Sequence, residues 1–100
     1  MIIEKQNLGE VKAGEVQKFS IGISKTKEIK NIHISCGCTK VQPTFIPRPE
    51  PIKVLKVSYT PGAIPQHLKE RGWYKAEQKV TLTYEDNNQF RLIFNAKVVE

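Results

Sequence analysis

The last third of the chain alternates between apolar and polar residues, and this period of two restricts the fold more than any other feature. The alternation runs from Val80 to Tyr84 and resumes from Phe90 to Val98. Successive side chains of a β-strand point to opposite faces, so each stretch predicts a strand with one buried face. Between them, Glu85 to Asn88 predicts a hairpin turn because Asn and Asp tolerate positive φ angles. The predicted inward positions are Val80, Leu82, Tyr84, Phe90, Leu92, Phe94, Ala96 and Val98.

Similar but shorter alternations recur along the rest of the chain, with turn residues between them. About seven short strands, turn signals every ~8–12 residues and no helical period predict an all-β, immunoglobulin-like sandwich. A chain of 100 residues fits one such domain, spanning residues 1–100. Six of these strands can be placed in the sequence: Ile2 to Asn7, Val16 to Ser24, Ile29 to Ser35, Ile52 to Tyr59, Ala76 to Tyr84 and Phe90 to Val99.

Three of the segments between these strands have a distinctive composition or length. Leu8 to Glu15 contains two glycines and predicts a turn or crossing segment. Gln42 to Pro51 contains four prolines, which are unsuited to a central strand, so we expect it to cross from one sheet to the other. Ala63 to Gly72 is the longest irregular segment.

The net charge of +6 is compatible with nucleic acid, an anionic surface or an acidic protein. The basic residues are spread along the chain, so a solvated β-surface is favoured over a nucleic-acid groove. No apolar run approaches the ~18 residues of a membrane span. The N-terminus lacks the features of a signal peptide, so we expect a cytoplasmic or virion-associated protein rather than a periplasmic one.

The chain has two cysteines, Cys36 and Cys38, which flank Gly37 at the end of an apolar strand. If Asn31 to Thr39 stays extended, both thiols share a face with Ile32 and Ile34. Cysteine is among the most buried residue types, so we expect two buried thiols that fill the core. Gly37 is explained by a bulge or by close packing of a neighbouring strand.

Two other uses of the cysteines stay open. Disulfide or redox chemistry requires Cys36 and Cys38 to form a very tight ring. A metal site requires further ligands, and His33 and His67 are the two imidazoles of the chain. In an extended strand His33 points away from both thiols unless Gly37 creates a bulge. With such a bulge, Cys36, Cys38 and His33 are the alternative metal set.

The segment before the predicted strand Ala76 to Tyr84 carries basic and aromatic residues of the kind that protein interfaces enrich. We expect Lys69, Arg71, Trp73 and Tyr74 to contact a protein partner, although Trp73 can also cap one end of the sandwich. The rigid proline segment containing Pro47 and Pro49 is a second candidate, because it loses little entropy on docking.

Catalytic groups are not recognisable in this sequence. The serines stand on strand positions without a nucleophile elbow, and neither histidine has an evident acidic partner. No glycine-rich phosphate loop precedes a helix. We therefore expect a protein without enzymatic activity, cofactor or small-molecule substrate.

Three stretches in order resemble a known family. They are Asn7-Leu-Gly-Glu-Val-Lys-Ala-Gly-Glu15, Ile32-His-Ile-Ser-Cys-Gly-Cys-Thr39 and Val54-Leu-Lys-Val-Ser-Tyr-Thr-Pro61. This order resembles the Hydin-like (ASH-type) immunoglobulin-like domains, and above all a bacterial uncharacterised group with a Cys-Gly-Cys-Thr signature. The likeness covers Asn7 to Val98, although Ala63 to Gly72 is longer than the short glycine turn usual there.

The resemblance implies a seven-stranded sandwich related to sperm-protein and pilus-chaperone domains. It also implies a non-enzymatic binding or scaffolding module. A small domain of this kind suits an accessory structural protein of a virion, by analogy with other immunoglobulin-like modules. The function expected is therefore protein–protein contact within a larger assembly.

Overall fold

The computed structural model describes residues 2–24, 26–47 and 51–100. In these residues, seven β-strands account for nearly all regular structure, and one short 3₁₀ helix spans Gln66–Leu68. No helix in these ranges is long and apolar enough to cross a membrane. The strands are β1 (Ile2–Lys12), β2 (Gln17–Ile23), β3 (Ile29–Ile34), β4 (Thr39–Ile46), β5 (Ile52–Tyr59), β6 (Trp73–Tyr84) and β7 (Gln89–Val99).

The strands form two sheets that pack as a sandwich. The four-stranded sheet has the order β1-β7-β6-β3, and the three-stranded sheet has the order β2-β5-β4. Strand β1 runs parallel to β7, whereas the other neighbours are antiparallel. Lettered in chain order, β2-β5-β4 and β3-β6-β7 reproduce the B-E-D and C-F-G sets of immunoglobulin domains. The predicted all-β sandwich of seven strands is confirmed.

The core lies between the sheets and contains all eight inward positions expected of β6 and β7. Phe94 lies at its centre, and its ring meets those of Phe19 and Tyr59 edge-to-face at centroid distances of 5.4 and 5.3 Å. This arrangement places the positive edge of one ring against the negative face of another. The alternation in β6 and β7 therefore predicts correctly which of their side chains are buried in the core.

The turn between β6 and β7 has the expected hairpin form. Asn87 adopts a positive φ of 66°, and the Tyr84 amide donates to the Asn88 carbonyl at 2.9 Å. The Asp86 carboxylate accepts from the Asn88 amide at 3.0 Å and pairs with Lys27 at 3.2 Å. The hydrogen bond from Asn88, with the contribution of Lys27, lowers the pKa of Asp86.

The expectation of a turn or crossing over Leu8 to Glu15 is wrong for most of its length. Strand β1 continues beside β7 as far as Lys12, with a register shift between Asn7 and Glu10. Gly9 makes this bulge possible with a φ of 71°, and its amide donates to Asn7 Oδ1 at 2.9 Å. Glycine here interrupts the register of a strand without ending it.

The expectation that Gln42 to Pro51 crosses between the sheets is also wrong. Residues up to Ile46 belong to β4, which pairs with β5 in the same sheet. Strand β4 is an edge strand, where Pro43 is tolerated because only one side needs donors. The crossing that leads into β4, from the four-stranded to the three-stranded sheet, takes place between Ile34 and Thr39.

The topology assigns the loops to two ends of the sandwich. At one end β1, β3, β5 and β7 begin and the other strands finish. We call it the apolar end because the exposed side chains of Ile2, Ile3, Phe45 and Ile52 lie there. The opposite end, called the tryptophan end, holds Trp73, the segment before it and the turn between β3 and β4. The longest dimension of the molecule is 49 Å.

Candidate functional sites at the two ends of the sandwich

The turn from Ser35 to Cys38, called the cysteine turn, begins where β3 ends. The Ser35 amide donates to the Lys79 carbonyl at 3.0 Å, and the Lys79 amide donates to Ser35 Oγ at 2.9 Å. The chain then folds back, and the Thr39 amide donates to the Cys36 carbonyl at 3.1 Å. The two bonds with Lys79 hold the start of the turn to β6, and the Thr60 amide, just after β5, donates to the Cys38 carbonyl at 3.0 Å.

The two cysteines form a disulfide with each other, which corrects the expectation of two buried thiols. That expectation required an extended strand through Thr39, whereas β3 ends at Ile34. The turn shortens the Cα–Cα distance between Cys36 and Cys38 to 5.2 Å, within the range that a disulfide spans. Both residues are half-buried, and Cys38 packs against the core as the alternation indicated.

His33 lies apart from this pair. Its partner across the strands is Thr81, on the outer face of the four-stranded sheet, and it is exposed. The described His, Cys, Asp and Glu side chains form no group of three that could hold a metal ion. The alternative set of Cys36, Cys38 and His33 is therefore not assembled in the described structure.

Trp73 begins β6 and carries two cations on its indole ring. The Arg71 guanidinium lies 4.0 Å and the Lys97 ammonium 4.9 Å from the ring centroid. The Nε–H of Arg71 also donates to the Trp73 carbonyl at 3.0 Å. Cation–π attraction of this kind stabilises the local structure. Three of the side chains at this end thus engage each other within the chain.

Tyr74 fixes the segment between β5 and β6 to the sandwich. Its hydroxyl donates to the Gly62 carbonyl at 2.8 Å, and its ring packs against the core. A tyrosine at the start of the sixth strand that bonds back to the preceding connection is similar to the tyrosine corner of immunoglobulin domains, but its partner here lies twelve residues upstream. Burial, with a smaller contribution from Tyr74, raises the pKa of the neighbouring core residue Tyr59.

The other residues expected to contact a partner are dispersed. Lys69 and His67 are exposed in the segment before Trp73, where the Lys69 amide donates to the Gln66 carbonyl at 3.3 Å. Pro47 is exposed after β4, at the apolar end. Pro49 lies outside the described residues. The predicted contact residues therefore divide between the two ends of the molecule.

A group of apolar residues missed by the sequence interpretation lies at the apolar end. Four of the five large apolar side chains exposed in the described residues belong to it, and Val16 at the opposite end is the fifth. Phe45 belongs to the segment interpreted as a crossing, so its position on an edge strand was not anticipated. The four exposed fractions are Ile2 67%, Ile3 53%, Phe45 57% and Ile52 38%.

Comparison with known proteins gives no relative. No model of a known protein family matches the chain, and no curated protein or solved structure matches it. The resemblance to Hydin-like domains stays a prediction.

Proposed function

We propose that this protein is a non-enzymatic protein-binding module that joins a larger assembly, such as a virion, through its apolar end. The observation that carries the proposal is that four of the five exposed large apolar side chains in the described residues lie at this end: Ile2, Ile3, Phe45 and Ile52. Ile2 and Ile3 begin β1 of the four-stranded sheet, and Phe45 and Ile52 lie on β4 and β5 of the other sheet. Exposed apolar side chains that share one end of a small domain can serve as anchors for a partner. Burying one such side chain fully contributes about 1.5–3 kcal/mol, so two or three anchors support a specific contact.

The proposed partner is a different, acidic protein. The chain carries a net charge of +6, so two copies repel each other over the range of the Debye length. An acidic partner gains attraction over the same range and is guided to the surface faster. Apolar anchors then determine how long the complex lasts.

The test compares the chain with two matched variants by capture from extracts of the source cells, followed by reconstitution with the purified captured protein. The first variant, Phe45→Ser with Ile52→Ser, removes two anchors at the apolar end. The control, Val16→Ser, removes an exposed apolar residue at the opposite end. Val16 is 49% exposed, so the control changes a comparably accessible side chain.

The proposal predicts one acidic protein that binds the wild type and the Val16→Ser variant when both components are pure. The affinity of this acidic protein for the Phe45→Ser, Ile52→Ser variant is expected to be lower than for the wild type by about tenfold or more. Equal binding to all three proteins contradicts the assignment to the apolar end. Failure to reconstitute any complex contradicts the function itself.

A second function is favoured by the pairing of Cys36 with Cys38. We propose as the alternative that the cysteine turn exchanges with dithiol proteins. A thiolate of the dithiol protein attacks one sulfur of the Cys36–Cys38 bond, which forms a mixed disulfide and releases the other cysteine as a thiolate. The second thiolate of the dithiol protein then breaks the mixed disulfide, so the dithiol protein leaves oxidised to a disulfide and Cys36 and Cys38 become two thiols. Intact mass after incubation with a dithiol reductant under native conditions tests this use. A rapid gain of two hydrogens supports it, and a pair that reacts only after unfolding contradicts it.

A further inference from the structure

The outer face of the three-stranded sheet carries a cluster of lysines that the proposed function does not use. Lys18 on β2 and Lys40 on β4 both lie opposite Ser58 on the central strand β5. One step along the same face, Lys56 on β5 lies between Ser20 and Gln42. Two adjacent rungs thus present three lysines, two serines and one glutamine, and these six side chains line a shallow depression.

The spacing allows the three ammonium groups to converge. Neighbouring strands are ~4.8 Å apart and alternate residues of one strand ~6.8 Å apart, so the three lysine Cα atoms lie within about 10 Å of one another. Each lysine side chain is flexible and longer than half that distance. The three can therefore meet above Ser58, whose hydroxyl lies between Lys18 and Lys40.

The charge in this depression has a single sign. No acidic residue lines it, and the two ion pairs found in the described residues, Lys27–Asp86 and Lys79–Glu77, lie elsewhere. A depression on the outer face of the other sheet instead mixes Lys75 and Lys97 with Glu10 and Glu77. Like charges held together repel, and a bound anion relieves that repulsion.

The chemistry of the two rungs indicates a small anion. The hydrophobic residues beneath them, Phe19, Val41 and Val57, belong to the inward face, so no aromatic ring faces outward to stack on a base. The same absence leaves no apolar anchor for a protein partner. Lysine ammonium groups and serine hydroxyls are donors typical of phosphate sites.

We infer that Lys18, Lys40 and Lys56, with Ser20, Ser58 and Gln42, form a binding site for one phosphate dianion, either free or as a monoester. The ammonium groups neutralise the charge, and the hydroxyl and amide groups donate to the remaining oxygens. This inference does not depend on the protein-binding proposal, since it concerns a different surface and different side chains.

The test is a two-dimensional ¹H–¹⁵N NMR titration of the whole protein at constant ionic strength, with inorganic phosphate and with phosphoserine. Amide signals of the two rungs are expected to shift, whereas those of the opposite sheet stay in place. The variant K18Q/K40Q/K56Q is expected to bind phosphate about tenfold or more weakly, because charge-assisted hydrogen bonds are lost. The control K5Q/K12Q/K75Q removes the same charge from the other sheet and is expected to bind as the wild type does.

Protonation of the ligand gives a second readout. The second pKa of a phosphate monoester is about 6, so phosphoserine is expected to bind more weakly at about pH 5 than at about pH 7. Similar binding of inorganic phosphate and phosphoserine supports a site for the dianion itself.

The inference is overturned if both triple variants lose affinity equally. Shifts spread over both sheets overturn it too, as does detectable binding of single-stranded oligonucleotide but not of phosphate.

Discussion

At the scale of single residues, the segment before β6 shows how aromatic and basic side chains serve the chain itself. Tyr74 donates its hydroxyl to Gly62, and Trp73 receives Arg71 and Lys97 on its ring. The sequence predicted this group as a partner-binding surface, with capping by Trp73 as the alternative. The contacts within the chain support the capping role.

Replacing Tyr74 by Phe tests this structural role. The change removes one hydrogen bond, so we expect the free energy of unfolding to fall by about 1 kcal/mol, measured by urea denaturation. Tyr84→Phe is the control, because the Tyr84 hydroxyl makes no hydrogen bond within the described residues. An equal loss in both variants would show that the bond to Gly62 has no special part in stability.

The raised pKa of Tyr59 predicts that folding stability falls at alkaline pH. Its pKa is raised above the ordinary value of 10.0 in the folded protein, chiefly by burial. As pH rises through about 10, the unfolded state loses this proton first and binds fewer protons, so folding stability falls. In Tyr59→Phe the fall between about pH 9 and about pH 11 should be shallower, relative to pH 7, by chemical denaturation. Parallel pH profiles would contradict the assignment.

At the scale of elements, the sequence predicts strands well where one alternation continues without a break. Phe90 to Val98 keeps one face buried throughout, and β7 agrees with the prediction. The alternation does not predict the full length of strand β1, because the bulge at Gly9 changes which residues face inward. Gln6 lies opposite Phe94 before the bulge and Val11 opposite Val98 after it, so the inward parity changes from even to odd.

The need for glycine in the bulge can be tested with two exposed glycines, Gly9 and Gly22, that differ in backbone conformation. A Cβ atom at either Gly9 or Gly22 meets no atom within 4 Å, but Gly9 has a φ of 71°. We expect Gly9→Ala to lower the free energy of unfolding by about 1–2 kcal/mol, the cost of the left-handed conformation. Gly22→Ala should change it by less than about 1 kcal/mol, and equal effects would contradict the role of the bulge.

The cysteine turn and β4 differ from the sequence expectation for a related reason. Sequence periodicity does not report which sheet a strand joins, so the proline cluster predicts a crossing where the structure has an edge strand. An edge strand tolerates Pro43, and a turn of four residues at Cys36 and Cys38 suffices to change sheets. Neither the disulfide nor the exposure of Phe45 follows from alternation, because both depend on where strands end in space.

At the scale of the whole molecule, the sandwich separates three kinds of surface. The tryptophan end is occupied by contacts within the chain, the apolar end exposes four large apolar side chains, and the outer face of the three-stranded sheet concentrates lysines. The fold class was predictable from alternation and turns. The division between the ends was not, since it depends on strand directions and pairing.

The proposed function depends on contact between the apolar end and a partner. Site-specific photocrosslinking in the source cells tests it most directly, with a photoreactive phenylalanine analogue placed separately at Phe45, Ile52, Val16 and Trp73. We expect one discrete adduct with an acidic protein from positions 45 and 52, and no such adduct from positions 16 and 73. The same adduct from position 73 alone, or adducts with a second copy of this chain only, would contradict it.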